Sequence, residues 1–403
     1  MPRREEKRNL ETIPVGSLRI IPLNGCIPLG EKVDRYLVKW RTERENEHKN
    51  SLIFSGYQRD SYILDAKISR FGTGEAKGVI NESVRGTDLY LLVDISNYSI
   101  TYSLCGHENR MSPDDHYQDL KRIIAAVGGK ARRITVIMPF LYESRQHKRS
   151  ARESLDCAIA LQELTRMGVD NIITFDAHDA RVQNAIPLSS FETVRSQYQF
   201  IKGLLHAVTD LTLDSSHMMI VSPDEGGMTR AIYLANVLGL ELGMFYKRRD
   251  YTRIVNGRNP IISHEFLGSS VEGKDVIVID DMISSGESCI DVAKQLKKRK
   301  ANRIFIAATF GLFTTGLEPF DKAYEEGVIT KVLTTNLVYQ MPELLEREYY
   351  INCDLSKYIA YIIDTLNHDS SISDLLDPSD RIQSLVAAYK EKNGFLDKDN
   401  DEP

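Results

Sequence analysis

Val276-Ile277-Val278-Ile279-Asp280-Asp281-Met282-Ile283-Ser284-Ser285-Gly286-Glu287-Ser288 is the stretch whose reading decides the fold. Its leading β-branched run predicts a short strand covered on both faces, as in the middle of a parallel sheet. An acidic pair stands where that strand is expected to end. A loop of small residues follows, then a helical pattern through Cys289-Ile290-Asp291-Val292-Ala293-Lys294-Gln295-Leu296. In open α/β sheets, ligands bind beyond the carboxyl ends of strands. A Ser- and Gly-rich loop entering a helix offers backbone N–H groups and hydroxyls to a phosphate. Adjacent aspartates would repel that phosphate, so they suit a different role, either accepting hydrogen bonds from sugar hydroxyls or holding Mg²⁺. Phosphate plus diol points to a ribose 5-phosphate group. The bland alternative is a strand-to-turn junction with Asp and Ser as turn and cap residues.

The same rhythm recurs on both sides. Upstream, strands are expected at Leu18–Asn24, Ile53–Ser55, Ala66–Phe71, Leu89–Val93, Ile134–Phe140 and Ile172–Phe175, with helices through Val33–Trp40, near Leu120–Val127 and over Ser154–Met167. The last carries Leu155, Ile159, Leu161 and Leu164 at helical spacing, and Gly168 ends it as a C′ glycine does. Arg41 to Lys49 reads as a charged connector. Downstream, Met218–Val221, Leu242–Tyr246 and Ile304–Thr309 read as strands. The first leads to Ser222-Pro223-Asp224-Glu225-Gly226-Gly227 and a helix through Leu234, the second to Lys247-Arg248-Arg249 and a polar loop, and the third to Phe310-Gly311-Leu312-Phe313. This alternation predicts an α/β fold of two doubly wound, mainly parallel domains, with the break near residue 195. Residues 1–195, 196–355 and a helical, polar extension with an acidic tail over 356–403 form the expected organisation.

At 403 residues the chain is long enough for two ordinary domains, and its net charge of −6 argues against a nucleic-acid or anionic-membrane surface. The charged start has no apolar run behind it, so no signal peptide is expected. No apolar run approaches the roughly 18 residues of a spanning helix. The five cysteines are scattered without CxxC spacing and read as reduced thiols. A cytoplasmic protein is the expectation.

Two tempting matches fail. Gly268-Ser269-Ser270-Val271-Glu272-Gly273-Lys274-Asp275 imitates a P-loop, but ends in Asp and precedes a strand instead of following one. Gly72, Gly74 and Gly78 have the wrong spacing for a dinucleotide fingerprint. Three strand-end sites are stronger because they recur in one structural place. Asp176-Ala177-His178 offers a carboxylate and an imidazole for Mg²⁺ or a triphosphate, against the bland reading of a capping histidine. Asp224 before Gly226-Gly227 puts a carboxylate where backbone can approach a ligand closely. Lys247-Arg248-Arg249, with Arg253 and Arg258 beyond, would place mobile positive charge beside the phosphate sites; its bland reading is a solvated face.

Together these pieces resemble the ribose-phosphate pyrophosphokinase (PRPP synthetase) family over roughly residues 50–345. Arg70-Phe71-Gly72-Thr73-Gly74-Glu75 looks like its adenine-contacting loop, and Arg145-Gln146 like its ATP-binding Arg-Gln pair. Asp176 and His178 match its Asp-x-His, and Ser222-Pro223-Asp224-Glu225-Gly226-Gly227 its Ser-Pro-Asp-x-Gly-Gly. Lys247 and Arg249 match the Lys-x-Arg of its catalytic flexible loop, and Asp280 and Asp281 its acidic pair on the ribose hydroxyls.

The resemblance implies transfer of the diphosphate of ATP to the C1 hydroxyl of ribose 5-phosphate. It assigns Lys247 and Arg249 to catalysis, and Phe71, Thr73, Glu75, Arg145, Gln146 and His178 to ATP. Asp280, Asp281, Ser284, Ser285, Gly286, Glu287 and Ser288 go to ribose 5-phosphate, and His178 and Asp224 to Mg²⁺. It also implies a homo-oligomer, dimer-based or hexameric. Departures are visible: Thr73 replaces Asp or Asn, His147 an acidic residue after Arg-Gln, and Phe310 a common His. Ser284-Ser285-Gly286-Glu287-Ser288 stands for an Asp-Thr-x-Gly-Thr pattern, putting a carboxylate at Glu287 where the family has Gly. Two rivals are a non-catalytic relative that binds nucleotide or PRPP and regulates a partner, and a PRPP-consuming phosphoribosyltransferase.

Overall fold

The computed structural model describes residues 12–44, 56–249 and 261–393. The chain divides into two compact units. The first comprises residues 1–194, 337–339 and 355–377, and the second residues 195–336, 340–354 and 378–403. Ile53–Ser55, Arg253, Arg258 and the acidic tail lie outside the described residues.

The first unit begins with β1 (Ser17–Pro22), α1 (Ile27–Glu43), and a hairpin of β2 (Ala66–Arg70) and β3 (Ala76–Ile80). Then come β4 (Thr87–Leu92), a second hairpin of β5 (Thr101–Leu104) and β6 (His107–Arg110), α2 (Pro113–Val127) and β7 (Arg133–Ile137). It continues through α3 (Asp156–Arg166), β8 (Asn171–Phe175) and β9 (Ser190–Val194). The five-stranded sheet runs β1-β4-β7-β8-β9, parallel throughout. Every residue of β4 is buried, as a strand covered on both faces requires. Local signals set α2: Ser112 and Asp115 form a reciprocal capping box, and Gly128 at φ +59° closes the helix. On α3, Leu161 and Leu164 are buried but Ile159 is exposed, so its apolar stripe is narrower than its sequence suggests.

The second unit runs α4 (Gln197–Ala207), β10 (Met218–Ser222), α5 (Met228–Leu238), β11 (Glu241–Arg249) and β12 (Ile261–Leu267). It continues with β13 (Asp275–Ile283), α6 (Glu287–Lys298), β14 (Ile304–Gly311), α7 (Glu318–Glu325) and β15 (Lys331–Thr335). A short α8 (Pro342–Leu345) and β16 (Tyr350–Cys353) follow. Its seven strands lie in the order β12-β11-β10-β13-β14-β15-β16, parallel except for β12. Val276 and Val278 enter one buried cluster with α6 and α7, while Ile277 and Ile279 enter another with α4 and α5. A strand with alternate residues in two cores is the doubly wound layout read from the sequence.

Three expectations need correction. The acidic pair does not end its strand: β13 continues to Ile283 because β14 pairs with it through Asp280↔Ala308, Met282↔Phe310 and Ile283↔Gly311. Lys247, Arg248 and Arg249 lie within β11 instead of opening a loop, since β12 returns antiparallel to pair with them, with an irregularity between Arg248 and Arg249. The segment past 355 is helical but not polar throughout. It forms α9 (Ser356–Asn367), α10 (Ser373–Leu376) and α11 (Ser379–Lys392). Of these, α9 buries Tyr358, Ile359, Ile362 and Ile363 in the first unit, with Asp364 and Asn367. Arg41, read as part of a connector, lies inside α1 at 1% exposure with its guanidinium 3.2 Å from Asp364 and 2.6 Å from Asn367 Oδ1.

Candidate active site

In the second unit the chain steps outward from β10 to β11 and β12, then returns to lay β13 on the other side of β10. That reversal is a topological switch point, and the crevice beyond the strand ends there is where an open α/β sheet binds ligands. Two loops meet at it. After β10, Ser222 Oγ–H donates to Asp224 O (2.6 Å), and Asp224 Oδ1 accepts N–H bonds from Gly226 (2.9 Å) and Gly227 (3.3 Å). A Cβ on Gly227 would sit 2.7 Å from Ser222 Oγ, so a side chain there would displace the hydroxyl that closes this turn.

The acidic pair is asymmetric. Asp281 is 4% exposed and faces the Arg230 guanidinium of α5 at 3.6 Å. Asp280 is half-buried and accepts the Asp281 backbone N–H at 2.9 Å. Burial, then the Asp281 and Asp224 charges, holds the Asp280 carboxyl well above the usual carboxylate range. Such a carboxyl is poised to be relieved by hydroxyl donors or a cation.

The following loop is pinned from the far side. Ser284 O accepts from Thr314 N–H (3.0 Å) and Ser285 O from Thr315 Oγ–H (3.0 Å). Gly286 has φ +88°, and a Cβ there would lie 2.3 Å from the Phe320 ring. Glu287 and Ser288 are exposed at the start of α6, so the Glu287 carboxylate stands in solvent at the helix N-terminus. Lys247 and Arg249 are on β11, the strand beside β10.

In the first unit, β7 and β8 are neighbours and their carboxyl-end loops adjoin. Arg145 is exposed, and Gln146 donates to Ser154 O at 2.8 Å. In the other loop Asp176 has φ +41°, its N–H bonded to Val194 O, and the Ala177 N–H donates to Thr193 Oγ1 at 3.0 Å. The two loops meet where the His147 ring stands edge-on to His178, centroids 5.3 Å apart. Phe71, Thr73 and Glu75 form the β2–β3 turn: Thr73 donates to Glu75 Oε2 (2.9 Å), and Phe71 is 51% exposed. That tip packs on the β5–β6 turn, with Cys105 N–H donating to Gly72 O (2.8 Å). Among the described residues no hydrogen bond or ring contact joins it to the Arg145–His147 loop. A cleft of about 600 Å³ in this unit, lined in part by Asp34, Asp65 and Glu82, contains none of the residues expected to bind nucleotide.

Among the described residues no group of three His, Cys, Asp or Glu side chains gathers into a metal centre. The carboxylates at the switch point are nevertheless hard oxygen donors of the type Mg²⁺ takes, and that ion is commonly held by one or two carboxylates with substrate phosphates. Sequence reasoning missed Arg230 and Asp179. Arg230 carries a legible signal, a cation three residues past Gly226-Gly227; Asp179 follows His178 directly.

Comparison with known proteins bears on this geometry. A model of the N-terminal domain of ribose phosphate pyrophosphokinase matches residues 18–168, and one of the phosphoribosyl transferase domain matches residues 192–335. A ribose-phosphate pyrophosphokinase of Vibrio vulnificus is 30% identical over 317 residues, covering 77% of this chain and 90% of that protein. The chain belongs to the ribose-phosphate pyrophosphokinase family. Another family member, from Shewanella oneidensis, is 30% identical over 316 residues with the same coverage. The crystal structure of phosphoribosylpyrophosphate synthetase from Mycobacterium smegmatis shares the fold, with TM-score 0.69 at 22% identity, over 88% of this chain and 100% of that one. The family models end at residue 335, so α9, α10 and α11 lie past the matched residues.

Proposed function

We propose that this chain is a ribose-phosphate diphosphokinase, which converts ATP and ribose 5-phosphate to PRPP and AMP. The C1 hydroxyl attacks the β-phosphorus, the bond from that phosphorus to the α-phosphate oxygen breaks, AMP leaves, and the hydroxyl proton is released. Supporting the reading above all is the switch point in the second unit, where the Asp224 turn and the Asp280–Ser288 segment meet in a member of this family. Phosphoryl transfers of this kind depend on positioning and on neutralising transition-state charge.

Asp280 and Asp281 accept the ribose hydroxyls, and Ser284, Ser285, Gly286, Glu287 and Ser288 form the cradle of the 5-phosphate. Phe71, Thr73, Glu75, Arg145, Gln146 and His178 bind ATP, and Lys247 and Arg249 stabilise charge on the transferring group. We assign Mg²⁺ as cofactor, with His178 as a candidate ligand within the first unit and Asp224 as one within the second; bound, it would neutralise phosphate charge. The first unit, read from the sequence as residues 1–195 and completed by 337–339 and 355–377, is then the ATP-contacting domain, and the second, read as 196–355 and joined by the segment past 377, the ribose 5-phosphate domain. We assign the chain to the cytoplasm, where the reduced thiols of its five free cysteines persist, and read it as a homo-oligomer, as the family resemblance implies.

The exposed Glu287 carboxylate favours one other reading, a relative that binds PRPP or nucleotide without turnover. Incubating the protein with ATP, Mg²⁺ and ribose 5-phosphate separates the two. The synthetase yields AMP and PRPP together and only when the sugar phosphate is present. Saturable binding without AMP would replace it with the regulatory reading. In the same assay Lys247→Ala should lose about 100-fold or more in kcat; wild-type turnover by that variant would remove Lys247 from catalysis.

A further inference from the structure

We propose that His147 is a positioning residue that ties the two nucleotide loops of the first unit together and fixes the ring of His178. The inference rests on reading those loops as the ATP site. His147 directly follows Arg145-Gln146, on the loop leaving β7, yet its contacts are with the loop leaving β8. Its ring meets His178 at 61° between planes, and its Nε2 lies 3.5 Å from Asp179 Oδ2, longer than a tight hydrogen bond but within ion-pair reach.

Asp179 is itself anchored. Its Oδ1 accepts from the Arg181 backbone N–H (2.9 Å) and from Arg181 Nε (2.9 Å), and the guanidinium also holds Oδ2. Those bonds keep the Asp179 carboxyl well below the usual carboxylate range. On the other side, Gln146 is fixed to Ser154 O. The imidazole of His147 is thus a strut between two tethered ends.

Packing alone does not account for a histidine here. The side chain is 11% exposed, and its Nδ1 is buried with no hydrogen-bond partner among the described residues. An unmatched buried polar atom is a net cost to folding, which an apolar ring of similar shape would avoid. The ring nitrogen facing Asp179 and the edge contact with His178 are what this residue adds. Groups that orient a ligand-binding histidine commonly act in this way.

The test compares His147→Ala, His147→Gln and Asp179→Asn in the full chain. It reads kcat, KM for ATP and for ribose 5-phosphate, and calorimetric affinity for α,β-methylene-ATP with Mg²⁺. His147→Ala should raise the ATP KM and the analogue Kd about tenfold and leave the ribose 5-phosphate KM within about twofold. His147→Gln keeps an N–H that can reach Asp179 and should recover most of the loss. Asp179→Asn should resemble His147→Ala, and the double variant should be no worse than either single one, because both break one strut.

Wild-type ATP parameters in His147→Ala would overturn the proposal. So would a uniform loss in kcat and both KM values that glutamine does not rescue. The strut also has a signature independent of turnover: the imidazole NMR signal of His178, assigned by its own substitution, should shift in His147→Ala and return in His147→Gln. An unmoved signal overturns the strut. An active-site failure of the wild type, with that signal moving as expected, would overturn the nucleotide reading alone.

Discussion

Successive side chains on a strand leave on opposite faces, and neighbouring Asp280 and Asp281 acquire different surroundings from that geometry. Asp281 meets the buried Arg230 guanidinium, whereas Asp280 has Asp281 and Asp224 nearby. Removing Arg230 takes a guanidinium from beside Asp281, a carboxylate at 4% exposure. Arg230→Met should therefore destabilise the protein by roughly 3 kcal/mol, read as a drop in the urea midpoint; an unchanged midpoint would mean the pair is solvated. For Asp280 the sign is the reverse. Near pH 4 and below, the unfolded chain also carries the proton, so Asp280 contributes little to the pH dependence there. As pH rises toward the raised folded value, the unfolded chain ionises first and stability is lost. Asp280→Asn should match wild type near pH 4 and be the more stable protein at pH 8, while binding ribose 5-phosphate poorly. Lower stability of this variant at pH 8 would refute the repulsion.

At the scale of elements, the segment from β13 into α6 shows how an altered loop keeps its shape. Thr314, Thr315 and Phe320 pin it from the other side, so Glu287 changes its charge without rebuilding its backbone. An exposed carboxylate beside a bound phosphate is repelled by about 1 kcal/mol in a water-like dielectric, or about fivefold in affinity. Glu287→Gln should lower the ribose 5-phosphate KM by that factor at low salt, and the gap should narrow as salt screens it. Equal KM values at both ionic strengths would show that the side chain points away from the ligand. Elements with strong local signals, such as the β13 core strand and the glycine-ended helices α2 and α3, were legible in the sequence. Those made by partners were not. Nothing in Lys247-Arg248-Arg249 announces a strand until β12 pairs with it, and the acidic pair stays in β13 only because β14 extends alongside. The switch-point loops were readable from residue types; Arg230 and Asp179 needed the fold to bring them in.

In the molecule as a whole, the least legible feature was the return of the chain to the first unit after β16. The helical period of α9 gives a buried face but not the surface that receives it. Arg41 explains the docking. With Asp364 it forms a buried pair that Arg44 joins at 2.6 Å, and Asn367 Nδ2 donates to Asp88, which two Arg133 nitrogens also hold at 2.8 Å. Burial alone would raise the Asp364 carboxyl, but Arg41 and Arg44 outweigh it and hold it below the usual range. Burial pushes the neighbouring His368 down, so in the folded protein it takes up a proton less readily than a free histidine. Both groups make the same pH argument. As pH falls through about 6.5, the unfolded chain gains a proton on histidine that buried His368 resists, and below about pH 4 the unfolded carboxyl gains one that Asp364 resists. Each uptake favours unfolding. Asp364→Asn leaves the buried Arg41 guanidinium, and the half-buried one of Arg44, short of their counter-charge and should lower stability at pH 7 by about 3 kcal/mol. His368→Gln should flatten the decline between pH 7 and pH 5.5 and leave the acid limb in place. Urea midpoints across that range check both; a wild-type pH profile in the two variants would mean that α9 is held by its apolar face and not by this cluster.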